Sequence, residues 1–185
     1  MRIAVMALQG AFIEHEVMLH RLGVETFEVR QLSDWHKQKD GLILPGGEST
    51  VQMRLLTELG LFEPVRQAIL NGLPVFGTCA GMILLSKGRL ATMDMRVKRN
   101  AYGRQLDSFQ HRGSVSGIAD DIPMTFIRAP YIEELLSDDC QSLAEVEGNI
   151  VAARQGCQLA TAFHPELTDD TRIHEYFLKN IMDRY

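Results

Sequence analysis

The stretch Leu73-Pro74-Val75-Phe76-Gly77-Thr78-Cys79-Ala80-Gly81-Met82-Ile83-Leu84-Leu85 decides how this chain folds. Its first apolar run, bounded by Gly72 and Gly77, has the length of a buried strand; its second, after Gly81, reads as a helix. Between them stands a nucleophilic side chain flanked by small residues, the cysteine form of a strand–turn–helix elbow. So tight a turn leaves no room for flanking side chains, which accounts for Gly77 and Gly81. At the start of the following helix, the dipole and free N–H groups favour thiolate over thiol and can hold an oxyanion. A free cysteine is more often a small buried core residue. The glycines, the strand and the helix weigh against that reading of Cys79.

Upstream of the elbow, residues 2–8, 25–29 and 41–44 read as strands. Residues 11–22 carry Ile13, Val17, Met18 and Leu22 at helical spacing and stop at Gly23. Residues 48–59 carry Val51, Leu55, Leu56 and Leu59, and residues 62–71 form a third amphipathic helix. Strands alternating with helices predict an α/β fold, three layers around a mainly parallel, doubly wound sheet. Downstream the pattern shortens to β-like segments at 93–99, 105–111, 124–128, 143–146 and 150–155, with turns at Gly113, Gly117 and Glu147-Gly148-Asn149. These predict a partly antiparallel extension of the sheet. Residues 159–163 return as a core strand, and residues 171–182 close the chain as a helix with Ile173, Phe177, Leu178 and Ile181 inward. Without a linker rich in Pro, Gly or Ser, residues 1–185 read as one domain.

A thiol needs a base, and the base needs a group to orient it. His164-Pro165-Glu166 follows the last core strand, at the sheet end where open α/β folds carry their sites. Residues two apart in an extended segment face the same side, so His164 can meet the thiol while Glu166 supports it through the other ring nitrogen. A further piece is Leu44-Pro45-Gly46-Gly47-Glu48-Ser49-Thr50, where two glycines between strand and helix let backbone N–H groups point into a cavity. The plainer reading is a tight turn with Ser49 or Thr50 as the helix cap. No Lys follows as in a phosphate-binding loop.

Taken together these pieces resemble class I (triad) glutamine amidotransferases, whose fold is flavodoxin-like. The segments Ala7-Leu8-Gln9-Gly10-Ala11-Phe12, Gly46-Gly47-Glu48-Ser49-Thr50, Gly77-Thr78-Cys79-Ala80-Gly81-Met82, Arg99-Asn100-Ala101-Tyr102-Gly103-Arg104-Gln105, Phe126-Ile127-Arg128-Ala129-Pro130 and Phe163-His164-Pro165-Glu166-Leu167-Thr168 stand in order along nearly the whole chain. They resemble the family of glutaminase subunits of pyridoxal 5′-phosphate synthase. The resemblance implies hydrolysis of L-glutamine to glutamate and ammonia, with Cys79 as nucleophile, His164 as base and Glu166 as its orienting partner. It also implies an oxyanion hole from the N–H groups of Gly47 and Ala80. Substrate would be held by Gly47, Glu48, Ser49, Arg99, Ile127 and Arg128, with a buried guanidinium for the α-carboxylate. The implied partner is a (β/α)8-barrel synthase subunit that receives the ammonia, and no cofactor is implied. If that partner must turn the Gly46-Gly47 peptide, the isolated chain should hydrolyse glutamine poorly. Amidotransferase subunits of histidine or purine synthesis share the triad, and a Cys-elbow chaperone or protease shares the elbow. The Gly47-Glu48-Ser49-Thr50 and 99–105 segments favour the vitamin B6 branch. Between Lys87 and Arg99 the chain is several residues shorter than is usual in that family.

The formal charge of −5 exerts no global pull toward nucleic acid or anionic membrane. No apolar run approaches membrane-spanning length, and the N-terminal one is too short for a secretory signal. Three cysteines, Cys79, Cys140 and Cys157, form no paired framework and fit a reducing, cytoplasmic setting. No cluster has metal-ligand spacing. His15, His20, His36, His111 and His174 are scattered in sequence and receive no role.

Overall fold

A computed structural model describes residues 1–99 and 108–182. In chain order the elements are β1 (Arg2–Met6), α1 (Phe12–Arg21), β2 (Glu25–Val29), α2 (Leu32–Trp35), β3 (Gly41–Leu44), α3 (Ser49–Glu58), α4 (Phe62–Leu70), β4 (Val75–Thr78) and α5 (Ala80–Leu85). There follow β5 (Met95–Lys98), β6 (Ser108–Val115), β7 (Ala119–Ile127), β8 (Tyr131–Leu135), β9 (Cys140–Val146), β10 (Asn149–Gln155), β11 (Gln158–Thr161), a 3₁₀ turn (Pro165–Leu167) and α6 (Arg172–Met182).

The sheet centre is parallel, in the order β2-β1-β3-β4-β11. Strands β3, β4 and β11 are buried along their whole length, because helices cover both faces. Alternation along β4 sends Phe76 to one face, where its ring meets His15 of α1 at 6.0 Å and Phe177 of α6 at 5.7 Å. Gly77, one step on, turns to the opposite face and the backbone of α5. There the fit is main chain against main chain. A Cβ on Gly77 would lie 2.7 Å from the Gly81 carbonyl group, and one on Gly81 would lie 1.9 Å from the Leu44 carbonyl oxygen. The elbow glycines thus let α5 sit directly on β3 and β4.

Beyond β11 the sheet turns antiparallel: β10 pairs with β11, β8 and β9, and β5 pairs with β8. The expected extension is therefore present, but β6 and β7 stand apart from it as a two-stranded sheet. Gly113 lies inside β6 opposite Ile122, not in a turn; the ladder is irregular between Gly113 and Val115, and the reversal falls at Gly117. This hairpin is tied to the end of β11. Phe109 stacks on Phe126 at 4.5 Å, Phe126 meets Phe163 at 5.7 Å, and the His164 N–H donates to the Thr125 carbonyl at 2.8 Å.

Two helices bury a different face from the one their apolar residues predict. On α1 the buried residues are His15, Met18 and Leu19, while Ile13 and Val17 are 58% and 47% exposed. His15 can go inside because it finds hydrogen-bond partners there. On α3 the buried face is Ser49, Gln52 and Leu56, and Leu59 is exposed. Gln52 Nε2 donates to the Gln9 and Pro45 carbonyls, pinning the helix to the neighbouring loops. The short α2 and the strand β8, with its paired glutamates, lack the patterning that betrays the other elements. Residues 100–105 of the 99–105 motif, residues 105–107 of the expected 105–111 strand and the side chain of Ile181 lie outside the described residues. Among the described residues no helix is long and apolar enough to cross a membrane.

Because the obstacle at Gly81 is a carbonyl group, Gly81→Ala is expected to cost about 3 kcal/mol. A urea midpoint like that of the wild type would contradict this packing.

Candidate active site

Strand β4 ends at Thr78, and Cys79 takes φ 48° and ψ −99°, a backbone conformation costing a non-glycine residue about 1–3 kcal/mol. Its N–H donates to the Thr161 carbonyl at 2.7 Å, and its carbonyl accepts the Ile83 N–H at 3.2 Å. The elbow is thereby stitched to β11 on one side and α5 on the other. α5 is only six residues long, so the dipole at its start is smaller than a full helix would supply.

His164 leaves β11, and the chain then tightens into the 3₁₀ turn with Pro165 at its start. This turn, not an extended segment, brings the Glu166 carboxylate back under the ring, with Nδ1 of His164 2.6 Å from Oε1. The ring also hydrogen-bonds with the Cys79 thiol. All three side chains are buried. Burial opposes an imidazolium at His164, but the hydrogen bonds with Cys79 and Glu166 outweigh it and push the ring up to about 10. Burial likewise opposes the charge on Glu166, and His15 and His164 more than offset it, holding the carboxyl below its usual range. This is the environment of an orienting carboxylate and a proton-accepting ring beside a thiol.

Cys79 and His164 open into a cleft of about 520 Å³. Of the residues singled out in the sequence, Gly47, Glu48, Ser49, Arg99, Ile127 and Arg128 line it as well. Ala80 and Glu166 are buried beneath. Two details differ from expectation. The cap of α3 is Glu48, whose carboxylate accepts the N–H groups of Thr50 and Val51 at 3.3 and 3.2 Å. The guanidinium groups sit exposed on the rim instead of buried. Arg99 Nη1 donates to Thr50 Oγ1 at 3.1 Å. Arg128, just past the end of β7, holds a positive φ of 43°. The segment after Lys87 folds back by way of a buried Leu90 and leaves Arg99 on the cleft.

Sequence reasoning missed the groups behind the site. His15 and His174 pack ring to ring, Nδ1 to Nε2 at 2.9 Å, and His15 Nε2 lies 3.1 Å from Thr78 Oγ1. Thr78 Oγ1 accepts the Gly46 N–H at 3.0 Å, and Gln9 Oε1 accepts the Glu48 N–H at 2.7 Å. The available signal for His15 was its spacing from Met18 and Leu19, which places it on their face of the helix. Among the described residues no group of His, Cys, Asp or Glu is placed to hold a metal ion.

Comparison with known proteins is consistent along the chain. The sequence profile of the SNO glutamine amidotransferase family matches residues 5–183. A curated relative from Methanocorpusculum labreanum, "Pyridoxal 5′-phosphate synthase subunit PdxT", is 58% identical over 98% of this chain and 98% of its own. A Streptococcus pneumoniae protein of the same name is 51% identical over 97% and 96% respectively. A solved structure described as a glutamine amidotransferase superimposes with a TM-score of 0.90 at 41% identity, covering 97% of this chain and 98% of that one.

The buried histidines give the fold an acid sensitivity of predictable sign. Burial lowers His15 against the pull of Glu166, and burial with the proximity of His15 lowers His174 well below its ordinary value. Both rings therefore resist protonation in the folded chain, whereas the unfolded chain protonates them below about pH 6.5. The unfolded state then binds more protons, so stability falls as pH drops from about 6.5 to about 5, by up to about 1.4 kcal/mol per pH unit per ring. His164 does not add to this window: its raised value stabilises fully below about 6.5 and the gain is lost as pH rises toward about 10. Urea midpoints across that range test it, and His174→Gln should show about half the slope.

Proposed function

Because the chain belongs to the SNO glutamine amidotransferase family, we propose that it is the glutaminase subunit of a pyridoxal 5′-phosphate synthase, hydrolysing L-glutamine and passing on the ammonia. The observation that carries the reading is the contact order Cys79, His164, Glu166 at the floor of a cleft whose rim bears Arg99 and Arg128.

In this reading the substrate's amino-acid end lies at the rim. The guanidinium groups of Arg99 and Arg128 meet the α-carboxylate, and Glu48, Ser49 and the Ile127 backbone face the α-ammonium group. The Cys79 sulfur attacks the side-chain amide carbon as His164 takes the thiol proton. The tetrahedral oxyanion rests on the N–H groups of Gly47 and Ala80. Collapse breaks the C–N bond, His164 returns the proton to the departing ammonia, and a γ-glutamyl thioester remains. Water, deprotonated by His164, attacks the thioester and expels the sulfur, giving glutamate and the free thiol. Glu166 holds the ring through Nδ1 and stabilises the imidazolium that forms at each stage.

Ammonia set free in water is protonated and lost as a nucleophile, so the reading includes a (β/α)8-barrel synthase subunit seated over the cleft, in a reducing cytoplasm. Support comes from the surface around the site: Ile127 and Leu167 line its mouth, Ile13 and Val17 line an adjoining depression that shares Leu167, and all four are at least 40% exposed. Apolar side chains gathered on one face mark a surface that a partner covers. The Gly46-Gly47 peptide is held by its carbonyl on the Ala11 N–H at 3.0 Å, next to that same face.

Release of glutamate and ammonia, assayed with and without the synthase subunit, tests the proposal. The complex should turn over faster than the isolated chain, and Cys79→Ala should lose about 10³-fold or more. Undiminished hydrolysis by Cys79→Ala would overturn the nucleophile assignment. Ile13→Glu with Val17→Glu should weaken the complex by about tenfold; unchanged affinity on a sedimentation or calorimetric titration would move the partner elsewhere.

A further inference from the structure

Behind the cleft runs a line of buried polar groups that the reaction scheme leaves idle. His15 and His174 are both 0% exposed. His15 Nε2 faces two groups, Thr78 Oγ1 at 3.1 Å and Glu166 Oε2 at 3.5 Å. Glu166 Oε2 is buried with no hydrogen-bond partner among the described residues, so the His15 ring is what its charge meets.

That charge sets the tautomers. A carboxylate oxygen facing Nε2 favours a proton on that nitrogen. Nδ1 of His15 then accepts from Nε2–H of His174, and His174 Nδ1 becomes a bare acceptor, the atom of that ring that lacks a partner. The reverse arrangement would bury an unpaired N–H and aim a lone pair at the carboxylate, and both cost more.

On the other side of Thr78, Gly46 is fixed from three directions. Its N–H donates to Thr78 Oγ1 at 3.0 Å, and its carbonyl accepts from Ala11 at 3.0 Å. Its Cα presses on the catalytic ring, where a Cβ would lie 2.3 Å from His164 Cε1. The backbone in front of Cys79 and the carboxylate behind His164 therefore share one anchor.

We propose that His15 is a positioning residue, whose Nε2–H ties the Glu166 carboxylate to the Gly46-Gly47 backbone by way of Thr78. The inference rests on the glutaminase reading only for the reaction used to measure it. His15 acts on the geometry of the reacting groups and touches none of the rim that grips the amino-acid end. Its loss should therefore fall on kcat and spare KM.

The test uses the full chain with its synthase subunit and three variants: His15→Phe, Thr78→Val and the double substitution. His15→Phe is expected to lower kcat for glutamine hydrolysis by about 10–100-fold, with KM within about twofold. Thr78→Val should lower it in the same way, and the double variant should be no worse than the poorer single one, since both break one connection. A wild-type kcat in His15→Phe, or effects that multiply in the double variant, overturns the proposal. If His15→Phe does not fold, His15→Met, which keeps apolar bulk but has no N–H donor, carries the test: kcat falls by about threefold or more while the urea midpoint holds, and an unchanged kcat refutes it. If the wild-type complex does not hydrolyse glutamine, the functional reading fails by itself. The anchor is then read from the rate at which iodoacetamide alkylates Cys79. A slowing of about threefold or more in the same His15 variant sustains the proposal, because a loosened ring supports the thiolate less well; an unchanged rate removes it.

Discussion

Cys79 sits in a backbone conformation that a side chain disfavours, and the molecule is arranged so that it cannot relax out of it. Its N–H is taken by β11, its carbonyl by the first turn of α5, and α5 lies against β3 with no side chain between them. Moving Cys79 to an ordinary conformation would require lifting the helix off the sheet, at the cost of the close contacts of α5 with β3 and β4. The fully buried parallel strands therefore do more than fill space: their rigidity is what keeps one strained residue pointing into the cleft. The same strand ends deliver the loop after β3 and the turn after β11 to that cleft, as expected for ligand sites at the carboxyl edge of an open α/β sheet.

Around this fixed point the charges are arranged by burial and by pairing. Glu166 remains ionised although almost wholly buried, because imidazoles stand against both of its oxygens. His164 is raised by its hydrogen bonds, while His15 and His174 are lowered chiefly by burial, so histidines gathered behind one thiol are pushed in opposite directions. The ring beside the thiol is set to hold a proton and the rings behind it are set not to. A divergence of this kind separates groups that exchange protons from groups that only donate fixed hydrogen bonds.

Much of this was legible in the sequence, and the limits are physical. The elbow, the alternation of strands and helices, and the pairing of His164 with Glu166 depend on local spacing, which a sequence displays directly. The face that α1 buries does not. Ile13 and Val17 outrank His15 on any hydrophobic scale, and only Thr78, Glu166 and His174, far away in the chain, make the histidine the better core residue. The separation of β6 and β7 from the main sheet was hidden for a similar reason, since pairing partners are tertiary facts and each strand alone reads like any other. Glu48 was expected at the substrate, and it also caps α3, a double use that residue type alone does not announce.

The glycine contacts carry a consequence for how such a site can change over generations of substitution. When a side chain blocks a larger residue, a second replacement can open the space, and a path of paired exchanges exists. At Gly81 the blocking atom is the Leu44 carbonyl oxygen, and at Gly10 it is the Gly46 carbonyl oxygen, 1.8 Å from where a Cβ would stand. Every amino acid brings the same carbonyl, so no exchange at the neighbouring position makes room. These positions are closed to compensation, unlike the rim, where side chains meet side chains and one can give way to another.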